Sequence, residues 1–173
     1  MIQDFFLTVK DSLLCPKVFF QKISNEKEIL KPILYLFLVY LSIAMFYVLS
    51  SLLVALSVNH NAIVSGRVID PIIHILLLPI SLTLGTILAA FIFHAWCYFF
   101  GISKGGLIGT LRVFCYSSTP HILPIIGLFA APIWQLINIT VGLKIIHKTS
   151  YKKLLIAYVT SILLTTIIAV IST

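Results

Sequence analysis

Two long runs of the chain carry no charged residue, one between Lys31 and Arg67 and the other from Pro71 to Phe100. A surface helix of a water-soluble fold keeps polar or charged residues on its outer face. An uncharged apolar stretch of about 20 residues is instead what crosses a hydrocarbon core about 30 Å thick. These runs place the polypeptide in lipid. Composition agrees, since 60% of the 173 residues are hydrophobic, 10% are charged and mean hydropathy is +1.13. An average soluble domain carries about 25% charged residues. Soluble enzymes and nucleic-acid-binding modules are therefore excluded, despite a net charge of +7.

The pattern predicts an all-α fold: a polytopic membrane bundle of about five transmembrane helices, preceded by an interfacial amphipathic helix. Residues 1–31 form the cytoplasmic segment and residues 32–173 the membrane domain. Its crossings are expected at about 32–58, 71–100, 107–129, 132–146 and 154–172. Pro32 suits a first helical position, where its missing N–H would be unpaired anyway. Both early spans exceed the minimum length, so they tilt or extend into the headgroups. The break between the third and fourth spans is expected near Gly127–Pro132. That leaves the fourth span only about 22 Å long, short of the core thickness. The turn is then buried among other helices, because lipid-exposed irregular backbone is not tolerated. A re-entrant hairpin over 107–146 is the alternative, and charge placement does not separate the two.

Orientation follows from the basic residues. Lys10, Lys17, Lys22, Lys27 and Lys31 precede the first span; Lys104 and Arg112 flank the second loop; Lys144, Lys148, Lys152 and Lys153 flank the fourth. With the N-terminus cytoplasmic, all basic residues except Arg67 fall inside, as the positive-inside rule requires. An odd number of crossings puts the C-terminus on the opposite side. The N-terminal sequence lacks the pattern of a cleaved signal peptide, so insertion is expected through the first span. Cys15, Cys97 and Cys115 are odd in number and imply no disulfide framework.

Ile2, Phe5, Phe6, Val9 and Leu13 recur at helical spacing, with Gln3, Asp4, Lys10 and Asp11 turned away. Pro16 interrupts this helix, and Phe19 and Phe20 follow in a second aromatic-basic stretch. Phe5, Phe6, Phe19 and Phe20 are the expected anchors, on membrane lipid at the interface or on the ends of the spans. KISNEKEILK, mixed in sign, is expected to be a solvated linker.

Polar residues within a bilayer are functional candidates by default. The richest group is Tyr116, Ser117, Ser118, Thr119, Pro120 and His121, with Asn138 on the following span. Pro120 removes a backbone donor and predicts a kink, whose freed groups the neighbouring hydroxyls can satisfy. The sharper possibility is a broken helix lining a solute path. His74 and His121 both fall toward the outer side of the membrane, where they could contribute to a proton path, with independent interfacial hydrogen bonds as the simpler expectation. His94 and Cys97, three apart, and Cys115 at similar depth are soft or borderline ligands for zinc or copper. The HxxC pattern is weak and names no fourth ligand, so neither metal nor cofactor is expected. Arg112 is expected to snorkel to the cytoplasmic headgroups. Gly105 and Gly109 form a GxxxG at the membrane edge, read as a turn and helix start rather than a dimer face. HExxH, GxSxG and paired aspartates are absent from the sequence, so catalysis is not expected.

LLCPKVFFQKI is similar to a P-x-x-F-F-x-x-I motif. FGISKGGLIGTLRVFCYSSTPHILP combines a glycine-rich turn with a Tyr-Ser-x-x-Pro-like element at Tyr116, Ser117 and Pro120. IWQLINITVGLKIIHKTSYKKLLIAY looks like a pair of final spans joined by a short basic connection. Together these segments resemble the Yip (Ypt/Rab-interacting protein) family of five-span membrane proteins. The resemblance implies a five-helix domain with a cytoplasmic N-terminus and, in eukaryotes, links to vesicle traffic, small GTPases and membrane shaping. Only about 31 residues precede the first span here, which leaves little room for a GTPase-binding region and makes small-GTPase binding doubtful. The expected function is that of a non-enzymatic scaffold or membrane organiser, contacting lipid, a second copy or another membrane protein. A small transporter or channel is the alternative.

Overall fold

The computed structural model describes residues 2–58 and 69–171, and among them every regular element is helical. Seven α-helices follow one another: α1 (Ile2–Leu14), α2 (Pro16–Lys22), α3 (Leu30–Val58), α4 (Ile69–Phe99), α5 (Gly106–Ser117), α6 (Pro124–Ile146) and α7 (Tyr151–Ile171). Two short 3₁₀ turns, Ile23–Asn25 and Thr119–Ile122, join α2 to α3 and α5 to α6.

The two uncharged runs form the longest helices. At 1.5 Å per residue α3 is about 43 Å long and α4 about 46 Å, both beyond the hydrocarbon thickness. Their apolar windows, Leu30–Val54 and Leu77–Phe99, have mean hydropathies of 2.2 and 1.9, and only 17% of each is buried within the molecule. A core helix of a water-soluble protein would be mostly covered. Here Leu49, Leu53, Val54, Leu84, Leu88 and Ile92 point outward, which suits lipid and not water. Among the described residues these are the two helices that satisfy both length and apolarity for a crossing. α6 and α7 measure about 34 and 31 Å, and α5 only about 18 Å.

The break in the third-to-fourth region therefore lies upstream of Gly127–Pro132. α5 stops at Ser117, the chain turns through Thr119–Ile122, and α6 runs unbroken through Pro132. Two prolines explain the shift. Pro120 cannot continue α5, and Pro124 favours an extended residue before it: Leu123 has φ −88° and ψ 94°. Pro124 then opens α6 in its first turn, where its missing donor does little harm. Pro132, eight residues into an established helix, forfeits a bond without ending it. The short piece is α5, not the fourth span.

α3 and α4 pair along their length, with Tyr40 Oη and Thr86 Oγ1 2.8 Å apart. α5 and α6 form a tight hairpin. A Cβ on Gly105 would lie 2.8 Å from the Ile146 carbonyl oxygen, and one on Gly109 would lie 2.6 Å from Ile146 Cγ2. The GxxxG thus brings two helices of the same chain together, and Gly105 also serves as the N-cap of α5. α7 is tied to α4 by Trp96 Nε1, which donates to the Ala157 carbonyl at 3.0 Å and to Thr160 Oγ1 at 3.2 Å.

A helix break clasped by the N-terminal segment as candidate functional site

The Thr119–Ile122 turn sits where α1, α3, α5 and α6 meet, and Thr119 joins three of them. Its hydroxyl donates to the Tyr116 carbonyl. That leaves two lone pairs, which accept from Tyr35 Oη at 2.8 Å and Ser12 Oγ at 2.9 Å. A threonine hydroxyl has one donor and two acceptor positions, so Thr119 is saturated. Asn138 reaches across from α6 and donates through Nδ2 to the Ser12 carbonyl at 3.4 Å.

The N-terminal segment thus docks on protein at the kink. Phe19 and Phe20 are buried, with Phe19 edge-on to Tyr116 at 5.1 Å and Phe20 beside Gly142. Phe5 is half-buried against Tyr35 at 5.3 Å. Phe6, 64% exposed, is the one of the four expected aromatic anchors whose ring stays at the molecular surface. The expected solvated linker is partly interior as well. Ile23 is buried, and its carbonyl accepts from Arg112 Nη1, which also reaches the Ser24 carbonyl at 3.4 Å. Arg112 is 5% exposed, so it does not snorkel outward. It pins the Ile23–Asn25 turn, and two carbonyls aimed at it lower the burden of holding a charge inside.

The other motif residues divide by role. Tyr116 packs between Phe19 and Tyr35, and Pro120 is buried. Pro120 frees the Tyr116 carbonyl, which Thr119 satisfies, while Ser118 Oγ donates to the Phe114 carbonyl one turn back at 3.1 Å and accepts from Gln135 Nε2 at 3.3 Å. His121 Nε2 lies 2.9 Å from Gln135 Oε1 and acts as the donor there. Ser117 Oγ and Asn138 Oδ1 are buried with no partner. The α5–α6 register, set by Gly109 on Ile146 and Val113 on Gly142, puts these two residues opposite each other. His74 has no described side chain.

The soft-ligand trio is not assembled. Cys97 packs in the larger apolar cluster and Cys115 in the smaller one with Leu36 and Ala90. Among the described residues no group of three metal-ligating side chains occurs. His94 instead enters a polar chain where the end of α4, the start of α5 and the end of α6 meet. The Gly105 N–H donates to His147 Nδ1 at 3.1 Å, so His147 carries its proton on Nε2 and gives it to Thr110 Oγ1 at 2.9 Å. Thr110 passes its own proton to His94 Nδ1 at 2.8 Å. Burial, with His94 nearby, holds His147 neutral and lowers its pKa from 6.5 to about 4.

Sequence reasoning missed Ser12, Tyr35, Thr110 and His147. Ser12 carried a signal, lying three residues after Val9 and seven after Phe5, a polar residue on an apolar stripe. The partners of Thr110 and His147 are set only by tertiary contact.

These observations give an integral membrane protein whose N-terminal helices clasp a proline-broken helix hairpin. No curated protein and no solved structure matches the chain. One family model does, the Yip1 domain, over residues 10–173, a stretch that runs from within α1 to the end of α7 and takes in the clasp and the hairpin together. The chain belongs to the Yip1-domain family of membrane proteins.

Proposed function

We propose that this protein is a non-enzymatic membrane scaffold that acts through helix–helix contacts with a second copy or another membrane protein. In this reading it crosses the bilayer five times, with α5 and its 3₁₀ turn as a broken third crossing and the N-terminus cytoplasmic. One observation carries it: most of the polar chemistry of the kink is consumed internally. Thr119 is saturated by α1, α3 and its own turn, and Ser118, Gln135 and His121 satisfy one another. What the molecule offers its surroundings is apolar, including Leu84 and Leu88 on α4, Ile133 and Ile137 on α6, and Leu163 and Ile167 on α7. Such faces bind lipid tails or other helices. Photocrosslinkers at Ile137 and Leu163 in native membranes should recover a discrete homo-oligomer or one specific partner. A chain that crosslinks only to lipid would sink the reading.

A small transporter or channel is favoured by a different observation, the buried, unpartnered atoms Ser117 Oγ and Asn138 Oδ1. Buried polar groups without partners mark places where a solute or water belongs. In this reading Ser117→Ala and Asn138→Leu reduce solute flux into reconstituted vesicles. Flux that is absent, or indifferent to both changes, eliminates it.

A further inference from the structure

The connection between α6 and α7 breaks two local rules together. α4 and α6 end in the same cap. In α4 the Ile102 N–H bonds the Cys97 carbonyl at 2.8 Å and the Gly101 N–H bonds Tyr98 at 3.0 Å. In α6 Thr149 bonds Lys144 at 3.2 Å and Lys148 bonds Ile145 at 3.4 Å. This cap needs a left-handed residue, ordinarily glycine. Gly101 supplies it in α4 with φ +66°, whereas α6 uses Lys148 at φ +49°. A side chain in that conformation costs about 1–2 kcal/mol. The second broken rule is at the start of α7. Helix N-termini carry partial positive charge and favour acidic residues, yet α7 has none in its first turn and begins Tyr151, Lys152, Lys153.

Both departures border one concavity. A cavity of about 160 Å³ is lined by Gly101, Lys104, Lys148, Thr149, Ser150 and Lys153, with His147 also on its wall. Among the described residues the ammonium groups of Lys104, Lys148 and Lys153 have neither a hydrogen bond nor an ion pair. Lys144, by contrast, rests over the Tyr151 ring at 3.7 Å. The sequence has no acidic residue after Asp70, so no carboxylate of this region can balance them. Lysines complementing the end of α6 would account for Lys148 alone. The positive-inside rule accounts for basic residues on this loop as a group, but it does not require Lys152 and Lys153 to occupy the unfavourable end of α7.

We infer that this cavity binds a phosphate group, held by Lys104, Lys148 and Lys153, by the hydroxyls of Thr149 and Ser150, and by the first turn of α7. An anion there supplies the charge that α7 lacks and gives the left-handed Lys148 a purpose. Basic pockets between helix ends at a membrane surface recognise lipid headgroups in this way. The phosphate belongs to an anionic lipid or to a soluble phosphate, and the chemistry of the site is shared by both.

The test uses the full chain in neutral detergent. Native mass spectrometry measures binding of phosphatidylglycerol, and a parallel thermal-unfolding titration uses inorganic phosphate. Lys148→Gly removes one charge while supplying the residue that the cap prefers, so loss of folding does not confuse the result. It should weaken phosphatidylglycerol binding about tenfold with an equal or higher melting temperature, as expected for losing one charge-assisted contact. Lys104→Gln with Lys153→Gln should weaken it further, and Lys17→Gln with Lys22→Gln on α2 should not. Stabilisation by inorganic phosphate that Lys148→Gly abolishes supports the site and assigns it a soluble ligand. Lipid binding without that response supports the site and assigns it a headgroup. Equal binding by the native chain and both cavity variants overturns the inference.

Discussion

At the residue scale, small side chains and one histidine carry more of the structure than their size implies. Gly105 and Gly85 make a direct comparison. A Cβ at Gly105 would meet the Ile146 backbone at 2.8 Å, whereas one at Gly85 would meet nothing within 4 Å. Gly105→Ala should lower stability by about 1–3 kcal/mol through overpacking. Gly85→Ala should leave it unchanged or raise it by about 0.5–1 kcal/mol, the helix-interior gain over glycine. Thermal unfolding of the two variants in the same detergent checks the contrast. His147 gives a pH prediction. Its folded pKa of about 4 lies below the ordinary 6.5, so between those values the unfolded chain binds more protons. Its contribution is complete above pH 6.5 and is lost as pH falls toward 4. By pH 5 the loss is on the order of 2 kcal/mol. His147→Asn, which keeps an acceptor for the Gly105 N–H but has no titrating ring, should flatten this acid dependence. An unfolding curve for the variant that remains equally acid-sensitive would contradict the assignment.

At the element scale, the sequence located helices better than it located their partners. α3 and α4 were legible because the run from Pro32 and the run from Pro71 lack charge, and lipid leaves few alternatives. The second break was harder. Pro120, Pro124, Gly127 and Pro132 all disturb a helix, and local pattern does not reveal which disturbance a packed neighbourhood tolerates. The outcome depended on Thr119 and Ser118 finding partners at the first break. The amphipathic stripe in α1 was equally visible, but a stripe does not say whether lipid or protein covers it. Ser12 and Thr119 decide that question here. In a chain whose native cysteines are replaced by alanine, Ser12→Cys with Thr119→Cys should form a disulfide in membranes under mild oxidant. The two hydroxyl oxygens are 2.9 Å apart, within side-chain bridging reach. A matched pair using the exposed Phe6 with Thr119 should not form one. Failure of the first pair would return α1 to the lipid surface.

At the scale of the whole molecule, charge placement predicts the threading. Eleven of the twelve Lys and Arg residues lie on one side if the chain crosses five times. A membrane-impermeant thiol reagent should label a cysteine placed before Asp4 only from the cytoplasmic side and one placed at Thr173 only from the other. Labelling of both from the same compartment would leave an even number of crossings. The clasp adds a timing constraint. Ser12 meets Thr119 and Asn138 across 107 and 126 residues of chain, so α1 leaves the ribosome long before its dock exists. At about 5–20 residues per second that interval is roughly 5 to 25 seconds. A helix made early is therefore among the last to settle. Until α5 and α6 are made, Phe19 and Phe20 on α2 also lack Tyr116 and Gly142, which cover them, and a chaperone or the membrane surface must shelter them.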